Sequence, residues 1–316
     1  MRTFFTVTAL GLMAGTSFVN AADKPVVASI VFQGDQFMKS LQAGMRSAAK
    51  KAGAEILETN IDGDQAKESQ AIDTYIARKV NAIVIAPVSA KNSAAALKRA
   101  RDAGITVVAV NGGLTDDTIA QATFSTSNKD LGMSTGKAAG AFIKTTLAGK
   151  ANVAILGFKS LLPEQSGDRT GGFKAAAEAG NQVKIVTEQD AWLPEKAVSV
   201  ATDILTANPD VNVIYAANEG GTVGAMQAVR NAGKAGSVYV FGIDGSEQLA
   251  KGLMAKDNVL QAVTAQSPFT MGAEGVNAAL AILKGEKVGK QTTVPAILLS
   301  RADPEGIKSF VASLKQ

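Results

Sequence analysis

The sequence predicts an α/β protein built on parallel β-sheets flanked by helices. Three observations carry this. First, short apolar runs of strand length alternate with amphipathic segments of helix length, the pattern of right-handed βαβ crossovers. Second, the runs end in polar residues and tight turns. The stretch VNVIYAANEGGTVGAMQAV at 211–229 shows this best, and the same grammar recurs at Val238–Ser246, Ala82–Ser89 and Thr106–Gly113. Third, aromatic residues make up 5% of the chain and glycine is abundant, as suits helices packed closely on parallel strands. At 316 residues the chain has enough length for two cores.

Taken in order, Pro25–Phe32 is an apolar strand, and Phe37–Ala52 carries Phe37, Leu41, Met45 and Ala48 at helical spacing. Ala54–Glu58 is a second strand, and Asp64 is placed to cap a helix over Gln65–Arg78. Ala82–Ala86 is the third strand; Ser89 is placed to cap Ala90–Ala103, which Gly104 ends. Thr106–Val110 is the fourth strand, Ile119–Thr126 is extended, and Ser127-Asn128 opens a long helix through Leu147. The cycle then restarts, which marks a domain crossing near Thr126. Strands are expected at Ala151–Phe158, Gln182–Glu188, Val211–Ala216, Val238–Gly242 and Val259–Ala265. Helices alternate with them at Ser166–Ala179, Pro194–Ala207, Gly220–Ala232, Ser246–Met254 and Met271–Lys284.

The first residues read as an export signal. Arg2 is the positive start, Phe4–Phe18 is an apolar core too short to span a bilayer, and Val19-Asn20-Ala21 is a small-residue cleavage site. Residues 1–21 are therefore expected to be removed, with a periplasmic mature chain from Ala22.

The net charge of +4 is spread along the chain without a basic run, which argues against a nucleic-acid partner. There is no Cys and no His. Disulfides, thiolate nucleophiles, a Ser-His-Asp triad and the HExxH zinc helix are thereby excluded. An enzyme on this chain would depend on carboxylates such as Asp35, Glu219 and Asp244, and no enzymatic activity, cofactor or metal is expected. The GxSxG pattern at Gly132–Gly136 falls inside a helix and lacks a His base, so it is no nucleophile elbow. Asp62-Gly63-Asp64 lacks the Glu of a calcium loop and reads as a turn.

The strand ends form the better constellation. Asn111, Asn218 and Asp244 follow apolar strands directly; Asp35 and Gln36 follow the first strand, and Gln266 follows Val259–Ala265. Each alone is a turn former or helix cap. Together, at the carboxyl ends of parallel strands, they supply the donors and acceptors that a neutral polyhydroxylated ligand needs. Arg169 adds a rigid donor fork at the start of a helix, where the dipole disfavours a cation. Its other reading is a surface Arg paired with Asp168 or Glu164. Trp192, the one Trp, follows a strand end, either as a plate for a sugar ring or as a partly buried anchor.

The chain resembles periplasmic sugar-binding proteins of the ribose-binding type, which share their core with LacI-type repressors. The resemblance covers nearly the whole mature chain. It is carried by VVAVNGG (Val107–Gly113), STSN (Ser125–Asn128), DRTGGF (Asp168–Phe173), DAWLPEKA (Asp190–Ala197), YAANEGGTVGAMQAV (Tyr215–Val229), VFGIDGS (Val240–Ser246), AVTAQSP (Ala262–Pro268) and LKGEKV (Leu283–Val288).

It implies a type I periplasmic binding fold, in which two Rossmann-like domains, each a parallel sheet flanked by helices, are joined by a three-crossover hinge. The crossings would fall near Thr126, Gln266 and Gln291. The N-terminal lobe would then comprise 25–126 plus 267–291, and the C-terminal lobe 127–266 plus 292–316. The positions matching ligand contacts are Asn111, Arg169, Trp192, Asn218, Asp244 and Gln266. Phe37 fits the stacking aromatic, with Phe32 and Met38 as further candidates.

Two departures stand at ligand-facing positions. Asn111-Gly112 replaces an Asp-Arg pair, and Gly34–Met38 carries one aromatic fewer than the ribose binders. The implied function is capture of a monosaccharide or polyol for an ABC permease by a monomeric binding protein without nucleic-acid partners. A ligand sensor serving a chemoreceptor or sensor kinase would use the same site. A repressor would need a helix-turn-helix head where the export signal stands.

Overall fold

A computed structural model describes residues 24–314. The expected export signal and its cleavage site lie outside the described residues.

The apolar runs form two six-stranded sheets. The first holds β1 (Val26–Val31), β2 (Glu55–Asn60), β3 (Ala82–Ile85), β4 (Thr106–Val110), β5 (Ala122–Ser125) and β11 (Gln291–Thr293), in the order β11-β5-β4-β3-β1-β2. All its pairings are parallel. The second holds β6 (Lys150–Gly157), β7 (Gln182–Asp190), β8 (Val213–Ala216), β9 (Tyr239–Ile243), β10 (Leu260–Ala265) and β12 (Ile297–Ser300), in the order β12-β10-β9-β8-β6-β7. It departs from the expected all-parallel sheet in one place, because β12 pairs antiparallel with β10. Strands β1, β3, β4, β8, β9 and β10 are buried almost throughout, as strands covered on both faces should be.

Helices α1 (Gln36–Ala52), α2 (Gln65–Ala77), α3 (Ala94–Asp102) and α9 (Pro268–Leu283) pack against the first sheet. The second is flanked by α4 (Asn128–Thr146), α5 (Pro163–Ala177), α6 (Pro194–Ala207), α7 (Glu219–Asn231), α8 (Glu247–Met254) and α10 (Pro304–Ser313). Asp64 caps α2 as expected, accepting from the N–H groups of Ala66 and Lys67. Ser89 does not cap α3. Its hydroxyl accepts from the Asn92 N–H within a turn over 90–93, and the helix proper begins at Ala94. Two helices start earlier than their hydrophobic periodicity indicates, α5 at Pro163 and α9 at Pro268, because a leading proline has no N–H to satisfy and a helical φ already set. Arg169 therefore sits in the second turn of α5, beyond the reach of the helix-end dipole, and the electrostatic reason for singling it out does not apply.

The chain passes between the sheets three times. β5 leads through Ser127, which caps α4, onto the second sheet; β10 leads through Gln266 and Ser267 back to α9. The third passage follows Thr293 and occupies 294–296, a few residues beyond the Gln291 crossing that the resemblance implied, because 291–293 still pair with β5. The Thr126 hydroxyl donates to the Val294 carbonyl and the Val294 N–H donates to the Ser125 carbonyl, so the first and third passages are tied side by side.

The glycines of the GxSxG pattern let α4 and α5 approach closely. A Cβ at Gly132 would lie 2.0 Å from the Arg169 carbonyl oxygen, and one at Gly136 would lie 2.5 Å from that of Phe173. Gly136→Ala should therefore destabilise the protein by about 1–3 kcal/mol. Gly171→Ala, in open space on α5, should stabilise it by about 0.5–1 kcal/mol. Urea midpoints of the two variants check this pair.

Candidate functional site

The carboxyl ends of the parallel strands in both sheets face one cleft. From the first sheet, the turn after β1 supplies Phe32, Gln33 and Asp35, the start of α1 supplies Phe37 and Met38, and the end of β4 supplies Asn111. From the second, the segment after β6 supplies Phe158, Leu161, Leu162, Gln165 and Arg169, and the ends of β7 to β10 supply Trp192, Asn218, Asp244 and Gln266. Ten of the eleven residues singled out from sequence thus share one cleft. The exception is Gln36. Asp35 caps α1 and Gln36 is its first helical residue, which leaves it exposed and outside the cleft lining.

Local chemistry explains why these side chains stand here. Asn111 and Asp244 have φ of 64° and 74°, the left-handed region that Asn and Asp tolerate better than other side-chain-bearing residues. Holding two such residues at strand ends on opposite sides of one cleft is a form of backbone strain characteristic of binding sites. Asn218 Oδ1 caps α7 by accepting from the Gly221 N–H, while its Nδ2 donates to the Trp192 carbonyl at 2.9 Å. Asn218 is therefore a helix cap, and it also fixes the turn that carries Trp192.

Asp244 is buried and well partnered. One carboxylate oxygen accepts from the Gln266 amide at 2.7 Å and the other from the Glu219 N–H at 3.0 Å. Arg169, also buried, stands 3.9 Å from Asp244. Its Nε donates to Asn128 Oδ1 and its Nη1 to the Ala217 carbonyl, both at 2.8 Å, and its guanidinium lies over the Phe158 ring. No partner for its Nη2 is present among the described residues. The alternative pairing of Arg169 with Asp168 or Glu164 does not occur among the described residues; the guanidinium faces the cleft instead. Asn111 is buried, its N–H bound to the Phe124 carbonyl, yet its Oδ1 has no hydrogen-bond partner. An unpaired buried amide oxygen costs roughly 1–3 kcal/mol, so this atom marks a place where a donor is missing.

One carboxyl group from each side lines the cleft, Asp35 and Asp244, and Glu219 stands beside Asp244. Burial raises the Asp35 carboxyl above its ordinary range, against the stabilising Met38 N–H, with the charge of Asp244 adding to the rise. Burial likewise pushes Glu219 up to about 7, against a hydrogen bond with Ser246 and with repulsion from Asp244 and Asp35 added. Among the described residues no group of His, Cys, Asp or Glu is arranged to hold a metal ion, and no helix is long and apolar enough to cross a membrane.

Five cleft residues escaped the sequence reading: Gln33, Phe158, Leu161, Leu162 and Gln165. Gln33 follows the expected first strand directly and had the same polar signal as the residues at other strand ends, whereas Phe158 stood inside the strand expected at Ala151–Phe158. Leu161, Leu162 and Gln165 reach the cleft through the loop after β6 and the start of α5, a path that no periodicity encodes.

Glu219 gives a pH prediction. Its carboxyl is neutral below about 4.5 whether the chain is folded or not, and it stays protonated in the folded protein up to about 7. The folded state thus holds the extra proton between those values, and this residue's contribution to stability declines as pH rises across that window. Glu219→Gln should flatten the decline and leave the variant more stable than wild type at alkaline pH. Thermal melts at about pH 5 and about pH 8 would show it.

Comparison with known proteins agrees with this architecture. Residues 26–287 match the family model described as a periplasmic binding protein domain. The D-allose-binding periplasmic protein of Escherichia coli (strain K12) is 31% identical over 296 residues, covering 91% of this chain and 92% of that protein. The ABC transporter periplasmic-binding protein YphF of the same organism is 30% identical over 280 residues, covering 86% and 85%. Among solved structures, an ABC transporter periplasmic solute binding protein from Actinobacillus succinogenes with bound D-allose superposes with a TM-score of 0.81 at 26% identity, covering 90% of this chain and all of that one. With two parallel-sheet lobes, three passages between them and a polar cleft at the strand ends, the chain belongs to the periplasmic binding protein family.

Proposed function

We propose that this protein captures a monosaccharide or cyclic polyol between its two lobes and delivers it to the membrane subunits of an ABC importer. The observation that carries the proposal is the unpaired, buried Oδ1 of Asn111 in a cleft lined by polar groups and aromatic rings from both lobes. A ligand hydroxyl supplies the missing donor. Asp244, held by Gln266 and Glu219, accepts from further hydroxyls, and Arg169 offers its free Nη2 to a ligand oxygen. Phe37 from one lobe and Trp192 from the other provide apolar faces for the C–H surface of a ring. Asn218, Phe32 and Asp35 complete the wall.

This inventory suits a neutral polyhydroxylated molecule, since amide, carboxylate and guanidinium groups between them match hydroxyls that both donate and accept. The D-allose named for the Escherichia coli relative and present in the Actinobacillus structure supports the same class for this chain. Because the two lobes contribute different groups, a ligand gains its full contacts only in the closed arrangement, and binding shifts the open–closed balance accordingly.

A thermal-shift screen of ligand-free mature protein against pentoses, hexoses, inositols, sugar alcohols and amino acids tests the class. A sugar or polyol at 100 times its dissociation constant adds about 2.7 kcal/mol and raises the melting point. A response confined to charged ligands would overturn the proposal. Arg169→Ala and Asp244→Ala should each weaken binding by about 2–5 kcal/mol, because each leaves a buried partner unpaired. Titration followed by the fluorescence of Trp192, the one tryptophan, reads this directly.

A further inference from the structure

Gln165 lies in the first turn of α5, on the second lobe, and reaches the first. Its Nε2 stands 3.0 Å from the point that a Cβ on Gly112 would occupy. It is half-buried, and its amide group has no protein hydrogen-bond partner among the described residues. It lines the main cleft together with Asn111, and it also lines an adjoining recess with Asn111, Gly112 and Asn128. The absence of a side chain at Gly112 therefore gives Gln165 room beside Asn111, whose Oδ1 is the unpaired acceptor.

We infer that Gln165 is a specificity-determining residue, which together with Asn111 reads one hydroxyl of the ligand from the two sides of the cleft. The inference rests on the proposal that the cleft holds a polyhydroxylated ligand. The chemistry follows from the two groups. An amide carries two donors and an acceptor but no charge, so a pair of amides suits a neutral hydroxyl that donates to one and accepts from the other. Asn111 Oδ1 accepts the ligand O–H, and Gln165 Nε2 donates to the same oxygen. An epimer that turns this hydroxyl away leaves both amides unsatisfied, and such a loss discriminates more sharply than a change in apolar contact. Because one amide comes from each lobe, the hydroxyl is read only when the lobes are closed. Gly112 is the permissive partner: any side chain there would press on the Gln165 amide and displace it.

The test is a calorimetric panel of D-ribose, D-allose, D-glucose, D-galactose and myo-inositol on wild type, Gln165→Met and Gly112→Ala. Methionine keeps the length of the side chain and removes its strong hydrogen-bonding groups. The tightest probe should lose about 10-fold to 100-fold in affinity for Gln165→Met while its weaker epimers lose less, so that the spread of affinities narrows. Gly112→Ala should shift the spread in the same direction by a smaller factor. The melting points of the ligand-free variants should stay at the wild-type value, which separates the effect from a structural one. Unchanged affinities, or equal losses for every probe, would overturn the role of Gln165 while leaving sugar binding intact. Failure of wild type to bind any of the five would overturn both.

Discussion

The Asp244 carboxylate is the constraint on which the rest of the cleft depends. A buried negative charge is tolerated only when charges and hydrogen bonds compensate it. Here the compensation comes from three other segments: the Gln266 amide at the second passage between the lobes, the Glu219 N–H at the start of α7, and Arg169 on α5. Each partner is fixed in turn. Arg169 is tied to Asn128 at the start of α4 and to the end of β8, and Glu219 follows Asn218, which caps α7 and binds the turn of Trp192. One side chain at φ 74° thus sets the positions of most of the polar wall on the second lobe.

The first lobe supplies fewer polar groups, and it holds the buried acceptor of the cleft that lacks a partner. Asp35 spends its carboxylate on the Met38 N–H and the Gln33 amide, and Asn111 leaves an oxygen unpaired. This asymmetry has a physical consequence. A preassembled wall on one side can seat the ligand without reorganisation, and the incomplete wall gains its missing partner only as the lobes meet around it. Asp35 on the first lobe and Asp244 on the second repel each other across the cleft. Ligand hydroxyls that donate into this negative surface offset the repulsion.

Much of the fold was legible because parallel α/β sheets write their strands as continuous apolar runs. β4 at Thr106–Val110 and α6 at Pro194–Ala207 fall at the bounds that the sequence indicates. The end of the chain was not legible in the same way. β11 is a three-residue exposed strand and β12 an edge strand with two exposed residues, so neither carries a burial pattern. α10 did carry a signal, with Asp303 capping a helix that begins at Pro304, and the same leading proline marks the true starts of α5 and α9. In the site, residues immediately after a strand were readable because the strand end fixes their position. Gln165 and Leu161 were not, since they come near the first lobe only through the path of the loop after β6. Gln36 shows the opposite error: adjacency to a strand end is not enough when the neighbouring Asp35 starts a helix and turns the next side chain to solvent.

The central claim is that a ligand hydroxyl completes the hydrogen bonding of the cleft. A crystal structure of the mature chain with the tightest-binding sugar or polyol tests it most directly. The account predicts one ring held between Phe37 and Trp192, hydroxyls on Asp244 and Arg169, and a ligand oxygen within hydrogen-bond distance of Asn111 Oδ1. A ligand bound elsewhere, or an Asn111 Oδ1 paired with a protein group while the sugar sits in the cleft, would contradict it.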